Sequence, residues 1–150
     1  MKSFEELFKE SLEIDSSGVY EDDVKIADLD IDEMPNITKE EVISYFEDER
    51  DSQKDPAIRY IKSLKLPKKF LYVWIQLIKI LPKQRGKGKG SEIINTLVMQ
   101  YPPGTLMALS AEEVSTGKTA SSLDMVKKFY KQNGFTLVRS QGKVFGFRLL

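Results

Sequence analysis

Residues 70–91 read FLYVWIQLIKILPKQRGKGKGS, an apolar run followed by a proline and then by three glycines that alternate with lysines. The apolar part, residues 68–80, is rich in β-branched and aromatic side chains and is bounded by turn residues. This pattern predicts a central strand that is buried on both faces. Glycine accepts positive φ and lets another molecule approach the backbone closely, at a cost in folding entropy. We therefore expect a strand, a glycine-rich turn and a helix start, with a ligand beside the turn.

The ligand is expected to carry phosphate. A glycine-rich turn before a helix is an anion site, since its backbone N–H groups and the helix dipole both favour negative charge. Arg85, Lys87 and Lys89 add positive charge at the same place. Two familiar phosphate motifs do not fit, because the dinucleotide fingerprint needs glycine where Ser91 stands and a P-loop needs glycine where Glu112 stands.

The segments after the turn alternate between helix and strand patterns. Apolar residues 93, 94, 97 and 98 predict a helix, TLMALS at residues 105–110 predicts a short strand, and residues 121–133 predict a helix that stops at Gly134. The last sixteen residues predict two strands around a tight turn. This order favours an α/β or α+β fold with one central sheet.

The segments before the turn indicate helices more clearly than strands. Capping-box patterns at Ser3–Glu6 and Thr38–Glu41 each predict a helix start, and Asp55-Pro56 predicts a third helix, although a strand at residues 57–66 also fits. Residues 14–36 are rich in turn residues, so we expect at most one short strand there. The N-terminal part is thus predicted to be rich in helix as well as acidic.

Composition excludes several classes of chemistry. The 150 residues contain no Cys and no His, which removes thiol nucleophiles, disulfides, Ser-His-Asp triads and the usual zinc ligands. We expect no metal. The longest apolar run, residues 70–78, is too short to span a bilayer, and the first ten residues have no apolar signal core. The chain is therefore expected to be a single cytoplasmic domain, residues 1–150, with no membrane partner.

The formal net charge of zero conceals a strong asymmetry. Residues 1–55 carry 19 acids and 6 bases, a net charge of −13, whereas residues 56–150 carry 4 acids and 17 bases, a net charge of +13. Opposite fields of this kind attract each other and steer charged ligands. The acidic part either attracts a cationic amine or is a solvated surface that balances the basic part.

Two motifs together resemble those of the GNAT superfamily of acyl-CoA-dependent N-acyltransferases. The first is ILPKQRGKGKGS, in which Arg85, Gly88 and Gly90 fill the family pattern of Gln or Arg, two residues, Gly, one residue, and Gly or Ala. The second is FYKQNGF at residues 129–135, an aromatic-Tyr pair at a helix end followed by Gly-Phe at a strand start. The resemblance covers residues 68–150. It implies a GNAT-like mixed, mostly antiparallel sheet flanked by helices.

The resemblance also implies a function, which is transfer of an acetyl group from acetyl-CoA to a primary amine of a small molecule or protein by direct attack. Backbone N–H groups of the loop would hold the pyrophosphate of coenzyme A, and the backbone at the end of the central strand would pair with the pantetheine arm. Tyr130 is the candidate acid for the leaving thiolate. Glu112 and Glu113 are candidate general bases. The implied cofactor-binding residues are Ile78, Ile80, Arg85, Gly86, Lys87, Gly88, Lys89, Gly90 and Ser91.

Two alternatives remain open. The chain could bind acyl-CoA and regulate a partner without turnover. It could also bind nucleic acid through its basic part, using aromatic residues such as Trp74 and Tyr101. The second alternative is disfavoured, because most of these aromatics lie in apolar runs typical of a core and because the acidic part would repel phosphates.

Overall fold

The computed structural model describes residues 12–47, 54–111 and 120–150, with only the backbone at residues 120–123. These residues form one seven-stranded sheet and four α-helices. The strands are β1 (Glu13–Asp15), β2 (Gly18–Glu21), β3 (Val24–Ile37), β4 (Phe70–Ile80), β5 (Leu106–Ser110), β6 (Thr136–Ser140) and β7 (Lys143–Leu149). The helices are α1 (Lys39–Ser44), α2 (Pro56–Ser63), α3 (Lys89–Met99) and α4 (Ala120–Gln132).

The sheet has the strand order β1-β2-β3-β4-β5-β7-β6. Neighbouring strands are antiparallel except for β4 and β5, which are parallel and connected through α3. The sheet is therefore mixed and mostly antiparallel, as the resemblance implies, and β4 is its middle strand. The last two strands meet at Gln141 and Gly142, which both have positive φ, the conformation of a two-residue hairpin turn.

Helices cover both faces of the sheet, and alternate residues of the central strands separate two cores. Val73, Ile75, Met107 and Leu109 belong to the core that packs against α3 and α4. Tyr72, Leu106 and Ala108 belong to the other core, which packs against α1 and α2. The prediction that the central strand is buried on both faces is confirmed for its first half, where Phe70, Tyr72, Val73 and Ile75 are buried.

The expectation of at most one short strand within residues 14–36 is wrong. Three strands form there, so residues 13–37 are not helix-rich. In β3 the acids Asp28, Asp30 and Asp32 alternate with Leu29 and Ile31. That alternation with a period of two is typical of a strand with one buried face, and it outweighs the turn preference of aspartate. The helix predicted from Ser3–Glu6 lies outside the described residues.

The caps predicted at Thr38 and Asp55 are both present, at the starts of α1 and α2. Thr38 and Glu41 form a reciprocal capping box at α1. Asp55 caps α2, accepting hydrogen bonds from the N–H groups of Ala57 at 2.8 Å and Ile58 at 3.2 Å, so residues 56–63 are a helix and the strand alternative is wrong. The second oxygen of Asp55 accepts hydrogen bonds from Ser140 Oγ at 2.6 Å and Gln141 Nε2 at 2.8 Å. Asp55 thereby ties α2 to the β6–β7 turn.

Candidate functional site

The glycine turn connects the end of β4 to α3. A short 3-10 turn, Pro82–Gln84, comes first, and Gly88 is the N-cap of α3 with a left-handed φ of 72°. Gly86 also has a positive φ, 79°, and a Cβ added at Gly86 or Gly88 would meet nothing within 4 Å. Among the described residues, no side chain caps α3. The turn therefore presents the free N-terminus of an 11-residue helix to open space, which is the geometry that favours an anion.

The three basic side chains of the turn differ in what they contact. Lys89 forms an ion pair with Glu21 at 2.5 Å, and the hydrogen bond from this pair raises the pKa of Lys89. Arg85 donates from Nε to the carbonyl oxygen of Ile80 at 3.2 Å. Lys87 is exposed and has no ion pair or hydrogen bond among the described residues. Of the two lysines, Lys87 is thus the one whose charge is available to a ligand, and Lys89 instead anchors the turn to β2.

The third glycine has a packing role. A Cβ at Gly90 would lie 2.8 Å from Cε1 and 2.9 Å from Cζ of Phe129, and 3.3 Å from Cδ1 of Ile80. Gly90 is buried, unlike the exposed Gly86 and Gly88. The amide of Asn133 also donates to Ser91 Oγ at 3.2 Å. The structure therefore brings the start of α3, the end of β4 and the C-terminal part of α4 together.

The two halves of β4 differ in their pairing. β5 pairs with residues 72–75 of β4 and ends at Ser110, while β4 continues to Ile80. On the other side, Ile75 is the partner of Ile31 and Leu77 is the partner of Asp30, so Gln76 is an extra residue. Gln76 is thus a β-bulge at the point where the β5 pairing ends, and bulges bend a strand and end its pairing.

Beyond the bulge, the β5 side of β4 is a strand edge with no paired strand among the described residues. Leu81 donates its N–H to Ile26 of the β3 side at 2.9 Å. Because successive residues of a strand direct their N–H and C=O groups to opposite sides, those of Ile78 and Ile80 point to the side that β5 has left. The Ile80 carbonyl accepts from Arg85 there, which leaves both backbone groups of Ile78 and the N–H of Ile80 without a partner in the described part of the chain. The side chains of Ile78 and Ile80 pack against the α3–α4 core. The bulge explains why these even-numbered residues face the same core as Val73 and Ile75.

Tyr130 follows Phe129, the residue whose ring lies against Gly90 at the start of α3. The ring of Tyr130 makes edge contacts with Phe129 at 5.1 Å and with Phe135 at 5.7 Å between centroids. Burial raises the pKa of Tyr130 to about 12. The hydroxyl has no hydrogen bond among the described residues. The phenol is therefore neutral at physiological pH and its O–H is free to donate.

The candidate general bases Glu112 and Glu113 lie outside the described residues. Within the described ranges, no group of three or more His, Cys, Asp or Glu side chains is placed to hold a metal ion. Of the aromatic residues in the basic part of the chain, Phe70 and Tyr72 are buried, and the hydroxyl of Tyr101 donates to Glu33 at 2.8 Å.

A cavity of about 450 Å³ lies on the face of the sheet that packs against α1 and α2, opposite the α3–α4 core. It lies between β3, β4, the end of α1 and the β6–β7 turn. Trp74 and Gln76 of β4 line it, and the indole N–H of Trp74 donates to Gln76 Oε1 at 2.7 Å. Because Gln76 is also the bulge residue, the cavity and the open edge of β4 meet at one position.

Sequence reasoning missed four features of this region: the bulge at Gln76, the anchoring acid Glu21, the cavity beside Trp74 and the buried hydroxyl of Ser110. Gln76 is a polar residue within an apolar run, which is a visible signal for an irregular strand. Glu21 and the cavity depend on pairing between distant segments, which one sequence does not reveal. Ser110 lies at the end of β5, and its Oγ is buried without a hydrogen-bond partner among the described residues.

Comparisons with models of known protein families and with curated proteins find no match. In the described part of the chain, no helix is both long enough and apolar enough to cross a membrane.

Proposed function

We propose that the protein is an acetyl-CoA-dependent N-acetyltransferase with a GNAT-like fold. The observation that carries the proposal is the convergence of an open strand edge at Ile78 and Ile80 with the uncapped, glycine-rich start of α3. One site thus offers an extended backbone for an amide-containing arm and a helix N-terminus for a pyrophosphate. The strand order, with its single parallel pair β4–β5, supports the same proposal.

The residues present suit coenzyme A in three respects. The open space beside Gly86 and Gly88 leaves room for phosphate oxygens against the backbone. Lys87 supplies an unpaired positive charge, while Lys89 and Arg85 hold the turn in place through Glu21 and the Ile80 carbonyl. When bound, acetyl-CoA would supply an acetyl group activated as a thioester.

The chain's own part in the reaction is orientation, charge stabilisation and hydrogen bonding. Backbone N–H groups at Ile78 and Ile80 point to the open edge and are available to an oxygen that becomes negative during attack by a neutral amine. With coenzyme A bound, Tyr130 would donate a hydrogen bond to the leaving thiolate, and the attacking nitrogen would release its proton to solvent water. The Tyr130 pKa of about 12 lies above the roughly 8.5 of an ordinary thiol, so the phenol stabilises the thiolate by hydrogen bonding and keeps its own proton.

The experiment is a thiol-release assay with acetyl-CoA and a panel of primary amines, with acetylated product identified by mass spectrometry. We expect amine-dependent release of coenzyme A that follows Michaelis–Menten kinetics. Acetyl-CoA binding without turnover on any amine would favour the regulatory alternative. The absence of both binding and turnover would overturn the proposal.

A further inference from the structure

We propose that the 450 Å³ cavity beside Trp74 binds a singly charged organic ammonium ion with an apolar or aromatic body. The cavity and its lining residues are the basis for the ammonium site. The further claim that the bound ammonium ion is the acetyl acceptor rests on the proposed function. Cavities of about 300–1,000 Å³ with mainly apolar walls and a few polar groups are typical of small-molecule sites.

Aromatic rings form the walls of the cavity. Phe46 packs edge-on against Phe145 at 5.1 Å and against Trp74 at 6.4 Å, and Tyr45 stacks on Tyr72 at 6.2 Å between centroids. Tyr45 is 58% exposed, so its apolar ring is available to a ligand. The negative face of an aromatic ring attracts a cation, most strongly for Trp.

The face of the Trp74 indole ring is the part of this side chain that is available to a ligand. Its N–H already donates to Gln76, so it does not need a hydrogen-bond acceptor from outside. Burial raises the pKa of Tyr72 above its usual range, and the neighbouring Tyr45 contributes in the same direction. These walls are therefore neutral, and they favour a ligand with an apolar body.

Charge at the cavity favours a single cation. Asp32 and Glu47 line it, and neither carboxylate has an ion-pair partner among the described residues. Lys143 lines it as well, so the side chains leave a net charge of −1. A polyamine would bring a surplus of positive charge close to Lys143, whereas a monoamine matches the site.

The test uses the fluorescence of Trp74, the single tryptophan of the sequence. The full-length protein is titrated with 2-phenylethylammonium, 2-phenylethanol and spermidine, with and without coenzyme A. We expect a saturable change with 2-phenylethylammonium, and binding at least tenfold weaker for the alcohol, which lacks the charge, and for spermidine, which lacks the aromatic body.

Two carboxylate variants locate the cation. Asp32→Asn combined with Glu47→Gln should weaken 2-phenylethylammonium binding about tenfold or more. Glu33→Gln is the matched control, because Glu33 is the next residue of the same strand, lies on the other face and can still accept from Tyr101 as glutamine. It should leave the affinity within about twofold of the wild type.

The proposal is overturned if no titration saturates, if alcohol and ammonium bind equally, or if the control variant loses as much affinity as the double variant. Binding of the ammonium ion without any acetyl transfer would retain the site and overturn only the proposed function. Acetyl transfer to other amines without a change in Trp74 fluorescence would retain the proposed function and overturn the ammonium site.

Discussion

Trp74 donates its indole N–H to the side chain of Gln76 across 2.7 Å, at the bulge where β4 parts from β5. This contact links the two regions that the proposed function needs. Trp74 lines the 450 Å³ cavity, and beyond the bulge the β5 side of β4 has no paired strand among the described residues. An aromatic wall on one face and this strand edge therefore share one local distortion of the sheet.

Deletion of Gln76 tests the role of the bulge. The partners of β3 and β4 on either side of Gln76 are already in regular register, so the deletion removes the extra residue and keeps those pairs. A straight β4 can then extend its pairing with β5 and close the edge. We expect a folded protein by circular dichroism with acetyl-CoA affinity lowered at least tenfold.

Gln76→Ala is the control for the deletion, because it keeps the bulge and removes only the hydrogen bond to Trp74. The loss of one such bond costs about 0.5–1.5 kcal/mol of stability, and acetyl-CoA affinity should change little. Equal affinity in the deletion variant and the wild type would show that the bulge does not create the site.

Gly90→Ala tests the contact between the two sequence motifs. The new Cβ would overlap Phe129, and overpacking of a well-packed site typically costs about 1–3 kcal/mol. The midpoint of chemical denaturation should fall accordingly. In a Phe129→Leu background the same substitution should cost less, because the ring atoms that the Cβ meets are gone. Additive effects of the two substitutions would contradict this contact, since residues in contact are expected to couple.

Tyr130→Phe removes the hydroxyl and keeps the ring packing against Phe129 and Phe135. A hydrogen bond to a charged group is worth about 1.5–3 kcal/mol, so kcat should fall roughly tenfold to a hundredfold with little change in acetyl-CoA affinity. Because burial raises its pKa to about 12, Tyr130 keeps its proton through the range in which amines are acetylated. The pH–rate profiles of wild type and variant should therefore have the same shape below about pH 11, which steady-state kinetics can check. If the variant has the wild-type kcat under conditions in which the chemical step limits the rate, Tyr130 contributes only to packing of the core.

Asp55→Asn tests the tie between α2 and the β6–β7 turn. Burial raises the pKa of Asp55, but hydrogen bonds from Ser140, Ile58, Gln141 and Ala57 outweigh it and hold the pKa below its ordinary value. The carboxylate thus contributes stability that is present above the unfolded-state pKa of about 3.9 and is lost as pH falls through the lower folded-state value. The variant should lose about 1–3 kcal/mol at pH 7, as for other caps and charged hydrogen bonds.

The acid dependence gives the control for Asp55. In urea titrations from pH 7 to pH 2, the stabilities of wild type and variant should converge as Asp55 becomes protonated. A difference that stays constant over this range would mean that the charge of Asp55 contributes nothing and that only the shape of the side chain matters.

The sequence predicts the elements of the fold correctly where a local pattern of residues determines the structure. The apolar run at residues 70–80, the capping residues Thr38 and Asp55, and the stop at Gly134 each depend on local physics and are confirmed. Residues 13–37 were misjudged, because Asp28, Asp30 and Asp32 were weighed as turn formers. Their exposure on one face of a strand becomes visible only when the neighbouring strands are in place.

The candidate site was predictable in outline and not in its details. The glycine spacing indicates an anion site at a helix start. It does not show that the ring of Phe129 occupies the space beside Gly90, or that Glu21 neutralises Lys89. The apolar run at residues 70–80 also does not show that the strand is irregular at Gln76. Each of these facts depends on contacts between residues far apart in sequence.

The measurement that tests the central claim most directly is calorimetric titration of the full-length protein with acetyl-CoA, together with Lys87→Glu and Lys83→Glu. Lys87 is exposed and has no ion pair or hydrogen bond among the described residues. Lys83 is an exposed lysine in the preceding 3-10 turn, so the two variants carry the same change in charge. We predict one saturable site whose affinity falls at least tenfold in Lys87→Glu and stays within about threefold in Lys83→Glu. Absence of saturable binding to the wild type, or equal losses in the two variants, would contradict a coenzyme A site at this turn.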